Sequence, residues 1–280
     1  MVKGEKKDLP KNITDITDDF LQSISVDLST VAVGLQGGFA RLSYDGKSDF
    51  DILLVFGTDE ESRKVFKGLT VFRDRVVGAR HISLDRIDIG RWKDKQRFVY
   101  ADETMIYSDV DKRLENIIRE SAMSRDEQMW TITYMLRKLG NAGLVYHNLQ
   151  GSDWRNMKWE SKLDYWINRG NPAAAHVWLN ESAVKLTKLL FAVNGHFLPS
   201  MKYRYAIMQT LEWLPENFDF DFKELMCYSD FDSDNYYRRA YAAIRLIDAC
   251  VDKADADGNL TDNMGEMYAS RNVRFSDNNI

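Results

Sequence analysis

The chain has little of what marks several large classes of protein. It has two cysteines, Cys227 and Cys250, whose surroundings lack the spacing of a metal or redox site, so we interpret both as reduced thiols. No stretch approaches the roughly 18 apolar residues of a membrane span, and the first residues lack the apolar core of a signal peptide. The formal net charge of −5 argues against a nucleic-acid-binding surface, which would be broadly basic. We therefore expect a cytoplasmic protein that acts on small molecules, not on nucleic acid or membrane.

Two apolar patterns divide the 280 residues near position 110. Before it, alternating and helical spacings are mixed, and after it the spacing is almost wholly helical. The sequence therefore predicts an α+β fold, in which a small, mixed, twisted sheet flanked by helices is followed by an all-α helical bundle. The predicted domains are 1–110 and 111–255, with a polar, acidic tail over 256–280. Predicted strands are 31–35, 49–56 and 80–85, with short strands over 98–107; predicted helices are 15–24, one starting after Thr58, 172–193, 200–214 and 234–251.

The most informative segment joins a glycine pair to two carboxylates. Gly37 and Gly38 follow an apolar strand. Ten residues after Gly38, the segment Ser48-Asp49-Phe50-Asp51 begins and leads into the apolar run 52–56. Residues i and i+2 of a strand point to the same face, so the two carboxylates stand side by side. Mg²⁺ in enzymes that handle nucleotides is commonly held by one or two carboxylates together with substrate phosphates. Backbone N–H groups at the glycine turn favour phosphate oxygens.

A less specific interpretation of this segment is an ordinary turn followed by a solvated strand edge. Aspartate is depleted in strands, so Asp49 and Asp51 on either side of Phe50 break the local propensity. Residues that break local propensity often mark functional sites. We therefore favour the functional interpretation of the pair.

The order of Gly-Gly, Ser48-Asp49-Phe50-Asp51 and the apolar strand resembles the active-site signature of the nucleotidyltransferase superfamily, which includes the antibiotic nucleotidyltransferases and the minimal nucleotidyltransferases. Gly38 departs from the pattern, because a serine usually follows the first glycine. The resemblance implies that Asp49 and Asp51 bind Mg²⁺ and are catalytic. The candidate nucleotide-contacting residues are Gly37, Gly38, Arg41, Ser48 and, in the helical part, Lys202.

The stretches 169–176 and 189–202 resemble the helical domain of a bacterial and archaeal group of nucleotidyltransferase-like proteins. This second resemblance implies a kanamycin-nucleotidyltransferase-like arrangement, in which the helical bundle forms the other wall of a cleft for the acceptor. Lys202 lies in the first turn of the predicted helix 200–214, where a positive charge opposes the helix dipole. We expect it to have an anionic partner, which is either a triphosphate or a nearby acidic side chain.

Enzymes of this superfamily usually carry a third acid on a neighbouring strand. If Ile82 and Leu84 face the core, the opposite face offers Asp85, which we take as the third catalytic residue. Asp88 is the next candidate, and a rough alignment to the family places His81 at the acidic position. The helical part could supply the base instead, from Glu160, Asp164 or Glu181.

Together, these resemblances imply a magnesium-dependent nucleotidyltransferase. We expect it to move AMP from ATP to a hydroxyl group of a small, possibly antibiotic-like molecule, and to be a monomer or homodimer. Two alternatives stay open: a nucleotide-binding or regulatory protein that keeps the fold without catalysis, and an enzyme that modifies protein side chains. An acid within about 5 Å of the Asp49 and Asp51 pair would favour catalysis, because it could share a metal with them.

Overall fold

The structure is a computed structural model that describes residues 9–41, 48–141 and 165–260. The chain forms two compact units: residues up to Ala122 together with Pro199–Thr210 form the first, and Met123–Leu198 together with the residues from Leu211 onward form the second. The first unit contains α1 (Lys11–Ser23), β1 (Ala32–Gln36), α2 (Gly37–Ala40), β2 (Phe50–Phe56), α3 (Asp59–Ser62), β3 (Gly68–Phe72), β4 (Arg75–Ser83), α4 (Asp94–Asp102), β5 (Thr104–Ser108), α5 (Arg113–Ser121) and α8 (Arg204–Met208). The second contains α6 (Arg125–Asn141), α7 (Pro172–Val193), α9 (Phe218–Met226) and α10 (Ser233–Ala256).

The five strands of the first unit form one mixed sheet in the order β3-β4-β2-β1-β5. Strand β2 is central; it pairs antiparallel with β1 and parallel with β4. The two edge strands, β3 and β5, pair antiparallel with β4 and β1. The start of β2 therefore lies beside the end of β1 and the start of β4.

Both faces of the sheet are buried. Phe50, Ile52 and Leu54 of β2 pack on one face in a core that includes α1. Leu53 and Val55 face the other way, into a second core with α5. The continuous apolar run of β2 is typical of a strand covered on both sides. By alternation, Asp51 lies on the α5 face of the sheet.

In the described residues of the second unit, 123–141, 165–198 and 211–260, the regular elements are all helices, joined by turns and loops. Helix α7 begins where the sequence predicts, because Asn171 caps it by accepting a hydrogen bond from the Ala174 N–H at 3.1 Å and Pro172 occupies the first helical position. Within α7, the apolar residues 189–193 are all buried. In the part of the chain that can be described, no helix is long and apolar enough to cross a membrane.

The predicted fold class, a mixed sheet with flanking helices followed by a helical region, is confirmed. Several elements differ from the expectations. Strand β3 was not predicted, β4 begins five residues earlier than the predicted strand at 80, and residues 98–102 are the end of helix α4. Of the predicted helix 200–214 only α8 forms, and it belongs to the first unit, whose main segment extends to Ala122 and not to 110. Helix α10 continues to Ala256, and residues 261–280 of the predicted tail lie outside the described residues.

Candidate functional site

The turn after β1 begins at Gly37. Its φ of +68° is a left-handed conformation, which side-chain-bearing residues adopt only at a cost. A Cβ atom at this position would also lie 3.1 Å from Oδ2 of Asp51. Gly38 lies in the first turn of α2, and the first backbone N–H groups of a helix have no partner within it. The backbone and the neighbouring carboxylate therefore both require glycine at position 37.

The Asp51 carboxylate lies at the start of β2 and is 27% exposed. Its Cα partner on β4 is Gly78, where a Cβ atom would come within 3.0 Å of Oδ1 of Asp51. Asp49, which precedes the strand, is exposed and shares the face of Asp51 by alternation. Glycines in the turn after β1 and on β4 thus leave room around one carboxylate, with a second carboxylate beside it. We call this space the Asp51 niche, defined by Gly37, Asp49, Asp51 and Gly78.

The charges around the niche are mixed. Burial raises the pKa of Asp51, the positive charge of Arg80 opposes this shift, and the negative charge of Asp49 adds to it. The charges of Arg41 and Lys202 also act to lower the pKa of Asp51. The charges of three cationic side chains therefore act on the Asp51 carboxylate. A site that binds a metal ion together with a polyphosphate requires both signs of charge.

Arg41 follows α2 and forms an ion pair with Glu103, which is buried at the end of α4. Its guanidinium also lies 4.7 Å from the ring centroid of Tyr203, in the segment Pro199–Thr210 of the same unit. Burial raises the pKa of Glu103, and the Arg41 charge opposes this. The ion pair and the ring contact hold the Arg41 guanidinium in one position.

Lys202 lies beside Tyr203, with its Nζ 4.9 Å from the ring centroid. The hydrogen bond with the Tyr203 side chain raises the pKa of Lys202, and the charges of Asp49 and Asp51 act in the same direction. The structure therefore brings Lys202 into the electrostatic environment of the two carboxylates. The helix-dipole argument for a partner is wrong, because residues 201–203 form a turn and α8 begins only at Arg204.

Asp85 does not join the niche, which corrects the prediction of a third carboxylate there. Strands β2 and β4 run parallel, and their pairing starts with Phe50 and Val77 and ends with Phe56 and Ser83. Asp85 follows Ser83, so it lies at the opposite end of these strands from Asp51. There its carboxylate accepts hydrogen bonds from the backbone N–H of Asp59, at 3.0 and 3.2 Å.

The other two candidates are also placed elsewhere. His81 packs against Phe56, with ring centroids 4.9 Å apart, on the face of the sheet opposite to Asp51. Asp88 lies beyond the end of β4 and pairs with Arg91 at 2.9 Å. The prediction assumed one buried face, whereas Ile82 packs in the α5-side core and therefore shares the face of Asp51. On that face β4 presents Gly78 and Arg80, not an acid.

Three residues near the niche were not predicted from the sequence. Arg80 reaches Asp51, with 3.5 Å between Nη2 and Oδ1. Gln36, 2% exposed, is the Cα partner of Asp51 on β1. Its Nε2 donates to Oγ1 of Thr104 at 2.9 Å, whereas its buried Oε1 has no hydrogen-bond partner among the described residues. Glu103 is the third. Gln36 could have been found from the sequence, because it is a polar residue at the end of an apolar strand. The positions of Arg80 and Glu103 depend on strand register, which the sequence pattern does not give.

The donor set of the niche fits Mg²⁺. Carboxylate and amide oxygens are the ligands that hard cations prefer, and Mg²⁺ usually keeps several waters beside one or two carboxylates. Asp49 and Asp51 would hold the ion, and the unpartnered Oε1 of Gln36 adds a neutral oxygen on the same face. Within the described ranges, no group of three or more His, Cys, Asp or Glu side chains is arranged to hold a metal. The remaining ligands would therefore come from phosphate and water.

The remaining predicted site residues add little. Ser48 is partly buried, two residues before β2. Glu160 and Asp164 lie outside the described residues. Glu181 lies on α7 of the second unit, where its nearest cation is Lys185 at 3.9 Å.

Comparisons with known proteins identify no family. No protein-family model and no curated protein matches the chain. Among solved structures, one similar chain is a nucleotidyltransferase-like protein from Exiguobacterium sibiricum 255-15. The two chains are 11% identical, and the alignment covers 94% of this chain and 80% of the other with a TM-score of 0.43. The functional argument therefore depends on the residues of the niche.

Proposed function

We propose that this protein is a magnesium-dependent nucleotidyltransferase that transfers AMP from ATP to a hydroxyl group of a small molecule. The observation that supports this most directly is the Asp51 niche. The Asp51 carboxylate has space around it, because Gly37 and Gly78 carry no side chain. A second carboxylate, Asp49, lies beside it, and the charges of three cationic side chains act on Asp51. Carboxylates for a metal ion and cations for phosphates are what phosphoryl-group chemistry requires.

Each residue has a separate role in this proposal. Asp49 and Asp51 hold Mg²⁺, which when bound neutralises charge on the triphosphate and on the departing pyrophosphate. Lys202 acts as a point charge on phosphate oxygens, and Arg41 is a fixed cation with bidentate donor geometry. The glycine turn places the backbone of α2 close to the phosphates. The acceptor hydroxyl oxygen attacks the α-phosphorus and loses its proton to water. The bond from that phosphorus to the bridging oxygen breaks, and pyrophosphate leaves.

The test is a screen of ATP, GTP, CTP and UTP with Mg²⁺ against a panel of hydroxyl-bearing acceptors, with pyrophosphate release as the readout. We expect release with ATP that depends on both Mg²⁺ and an acceptor, and that is absent from Asp51→Asn. Asp85→Asn is the matched control, since it removes a carboxylate from the other end of the same strands. Equal release by wild type and Asp51→Asn would contradict the proposal.

One observation favours a second candidate function, which is nucleotide binding without transfer. Within the described residues no third acid joins Asp49 and Asp51, and Arg80 pairs with Asp51 instead. A binding protein would retain an ATP analogue in the presence of Mg²⁺ but release no pyrophosphate with any acceptor. Calorimetric titration of the analogue, run beside the pyrophosphate assay, separates the two candidates.

A further inference from the structure

Arg80 is the β4 residue whose side chain reaches the Asp51 carboxylate. The parallel register pairs Asp51 with Gly78 and Leu53 with Arg80, and all four side-chain positions lie on the α5 face. Gly78 has no side chain, so the Arg80 side chain reaches across it to within 3.5 Å of Oδ1 of Asp51. The Arg80 side chain remains 57% exposed, so it can bind a second anion.

An aromatic side chain shares the face of Arg80. Tyr100 on α4 packs against the α5-side core, and its ring packs against Trp92, with centroids 4.3 Å apart. Burial raises the pKa of Tyr100, and the Arg80 charge opposes that shift. The Arg80 charge thus acts on Tyr100 as well as on Asp51.

The charges at this end of the sheet are matched to one metal ion and not to two. Asp49 and Asp51 are the two carboxylates of the niche, and Asp51 already interacts with Arg80. Glu103, the nearby buried acid, forms an ion pair with Arg41. A second divalent ion would lie close to the Arg80 guanidinium, with no carboxylate on β4 to offset the repulsion.

We propose, on the premise of the function above, that the niche takes one divalent cation per nucleoside triphosphate and that Arg80 moves from Asp51 to the triphosphate when the nucleotide binds. Guanidinium and phosphate match in bidentate geometry, and the bond between them is charge-assisted. The Asp51 oxygen that Arg80 releases would then be available to hold Mg²⁺. Arg80 is thus a phosphate-binding residue that supplies the positive charge a second ion would otherwise supply.

The experiment counts bound Mn²⁺ by electron paramagnetic resonance during titration of the full chain with a non-hydrolysable ATP analogue. We expect one Mn²⁺ per bound analogue in the wild type, and two in Arg80→Asp, which places a third carboxylate beside Asp51. Arg80→Ala should keep one Mn²⁺ but bind the analogue at least about tenfold more weakly, as expected for loss of a charge-assisted hydrogen bond.

Arg86→Ala and Arg86→Asp are the matched controls. Arg86 is 64% exposed and also pairs with a carboxylate, that of Asp59, at 3.0 Å, but lies beyond the other end of β4. Neither control should change the Mn²⁺ count or the analogue affinity, and melting curves show whether each variant is folded.

Two Mn²⁺ per analogue in the wild type, or wild-type affinity in a folded Arg80→Ala, would overturn this inference and leave the proposed function standing. A folded Arg80→Asp that still binds one Mn²⁺ would overturn the claim that Arg80 excludes the second ion. No binding of analogue and Mn²⁺ to the wild type would overturn the proposed function, and this inference with it.

Discussion

The two ends of the β2 and β4 strand pair carry similar residues in different states. At one end the Asp85 carboxylate accepts two hydrogen bonds from the N–H of Asp59, and Arg86 pairs with Asp59. At the other end, the contact of the Asp51 carboxylate with Arg80 is longer, at 3.5 Å. Burial of this carboxylate raises its pKa, and the Arg80 charge opposes that shift. A carboxylate that stabilises the fold has its oxygens occupied, whereas one with weaker contacts and surrounding space is available for a ligand.

The glycines show why the two ends differ. Gly37 and Gly78 flank Asp51, and a Cβ at either position would crowd its oxygens. Asp85, by contrast, lies against the first turn of α3, whose N-terminus Thr58 caps with a capping box. The position of the Asp85 carboxylate is explained by its hydrogen bond with the Asp59 N–H at the start of this helix.

The largest expected effect comes from replacing the aspartates at the Asp51 end of the strand pair and comparing the loss of activity with that caused by replacing Asp85 at the other end. Asp49→Asn and Asp51→Asn should each lower kcat/KM by at least about a hundredfold, because several kcal/mol of charge stabilisation by the metal are lost. Asp85→Ala should leave activity nearly unchanged but lower the free energy of unfolding by about 1 kcal/mol, as is usual for a helix cap. Steady-state kinetics and urea denaturation measure the two effects. A comparable loss of activity after substitution at both ends would contradict the assignment of ligand binding to Asp51 and of fold stabilisation to Asp85.

Gly37→Ala tests the space around Asp51. The substitution should cost about 1 to 2 kcal/mol for a left-handed residue, and a further 1 to 3 kcal/mol, roughly, for crowding the carboxylate. Gly170→Ala is the control, because Gly170 has a φ of +67° and a Cβ atom there would meet none of the described residues within 4 Å.

We expect Gly37→Ala to be less stable than Gly170→Ala in urea denaturation and, unlike it, to bind the ATP analogue more weakly. Equal destabilisation with unchanged analogue affinity would show that the glycine serves only the backbone.

Lys202→Ala should have a smaller effect on ATP binding, because the Lys202 side chain is exposed and water screens its charge. We expect the KM for ATP to rise about fivefold or less, with a difference that shrinks as salt is added. Lys64→Ala, which removes an exposed lysine paired with Glu60, is the control in the same unit. An unchanged KM at low salt would exclude a phosphate contact for Lys202.

The smallest effect concerns Asp248 on α10, a half-buried carboxylate beside Asp252. Burial and the Asp252 charge raise its pKa from 3.8 to about 6. The folded state therefore binds this proton more tightly than the unfolded state, so stability is full below about pH 4 and falls as pH rises through 6. Asp248→Asn should melt a few degrees higher than the wild type at pH 8 and equally at pH 4. If the difference in melting temperature between Asp248→Asn and the wild type were the same at pH 4 and at pH 8, the raised pKa of Asp248 would be contradicted.

Local signals predicted part of this molecule well. The glycine turn, β2 and α7 follow from short patterns, because φ sterics, alternation and capping act within a few residues. The expectation of Asp85 failed because strand register is not local: which β4 residue faces Asp51 depends on pairing with β2 and on a second buried face. For the same reason Arg80 and Glu103, both close to the niche, have no recognisable sequence signature.

The most direct test of the central claim is anomalous diffraction from crystals grown with Mn²⁺ and a non-hydrolysable ATP analogue. We expect a manganese peak in the Asp51 niche, about 2.0 to 2.4 Å from oxygens of Asp49 and Asp51, with triphosphate density beside it. A manganese peak and triphosphate at the Asp59 and Asp85 end of the sheet, or nucleotide bound away from both aspartates, would contradict it.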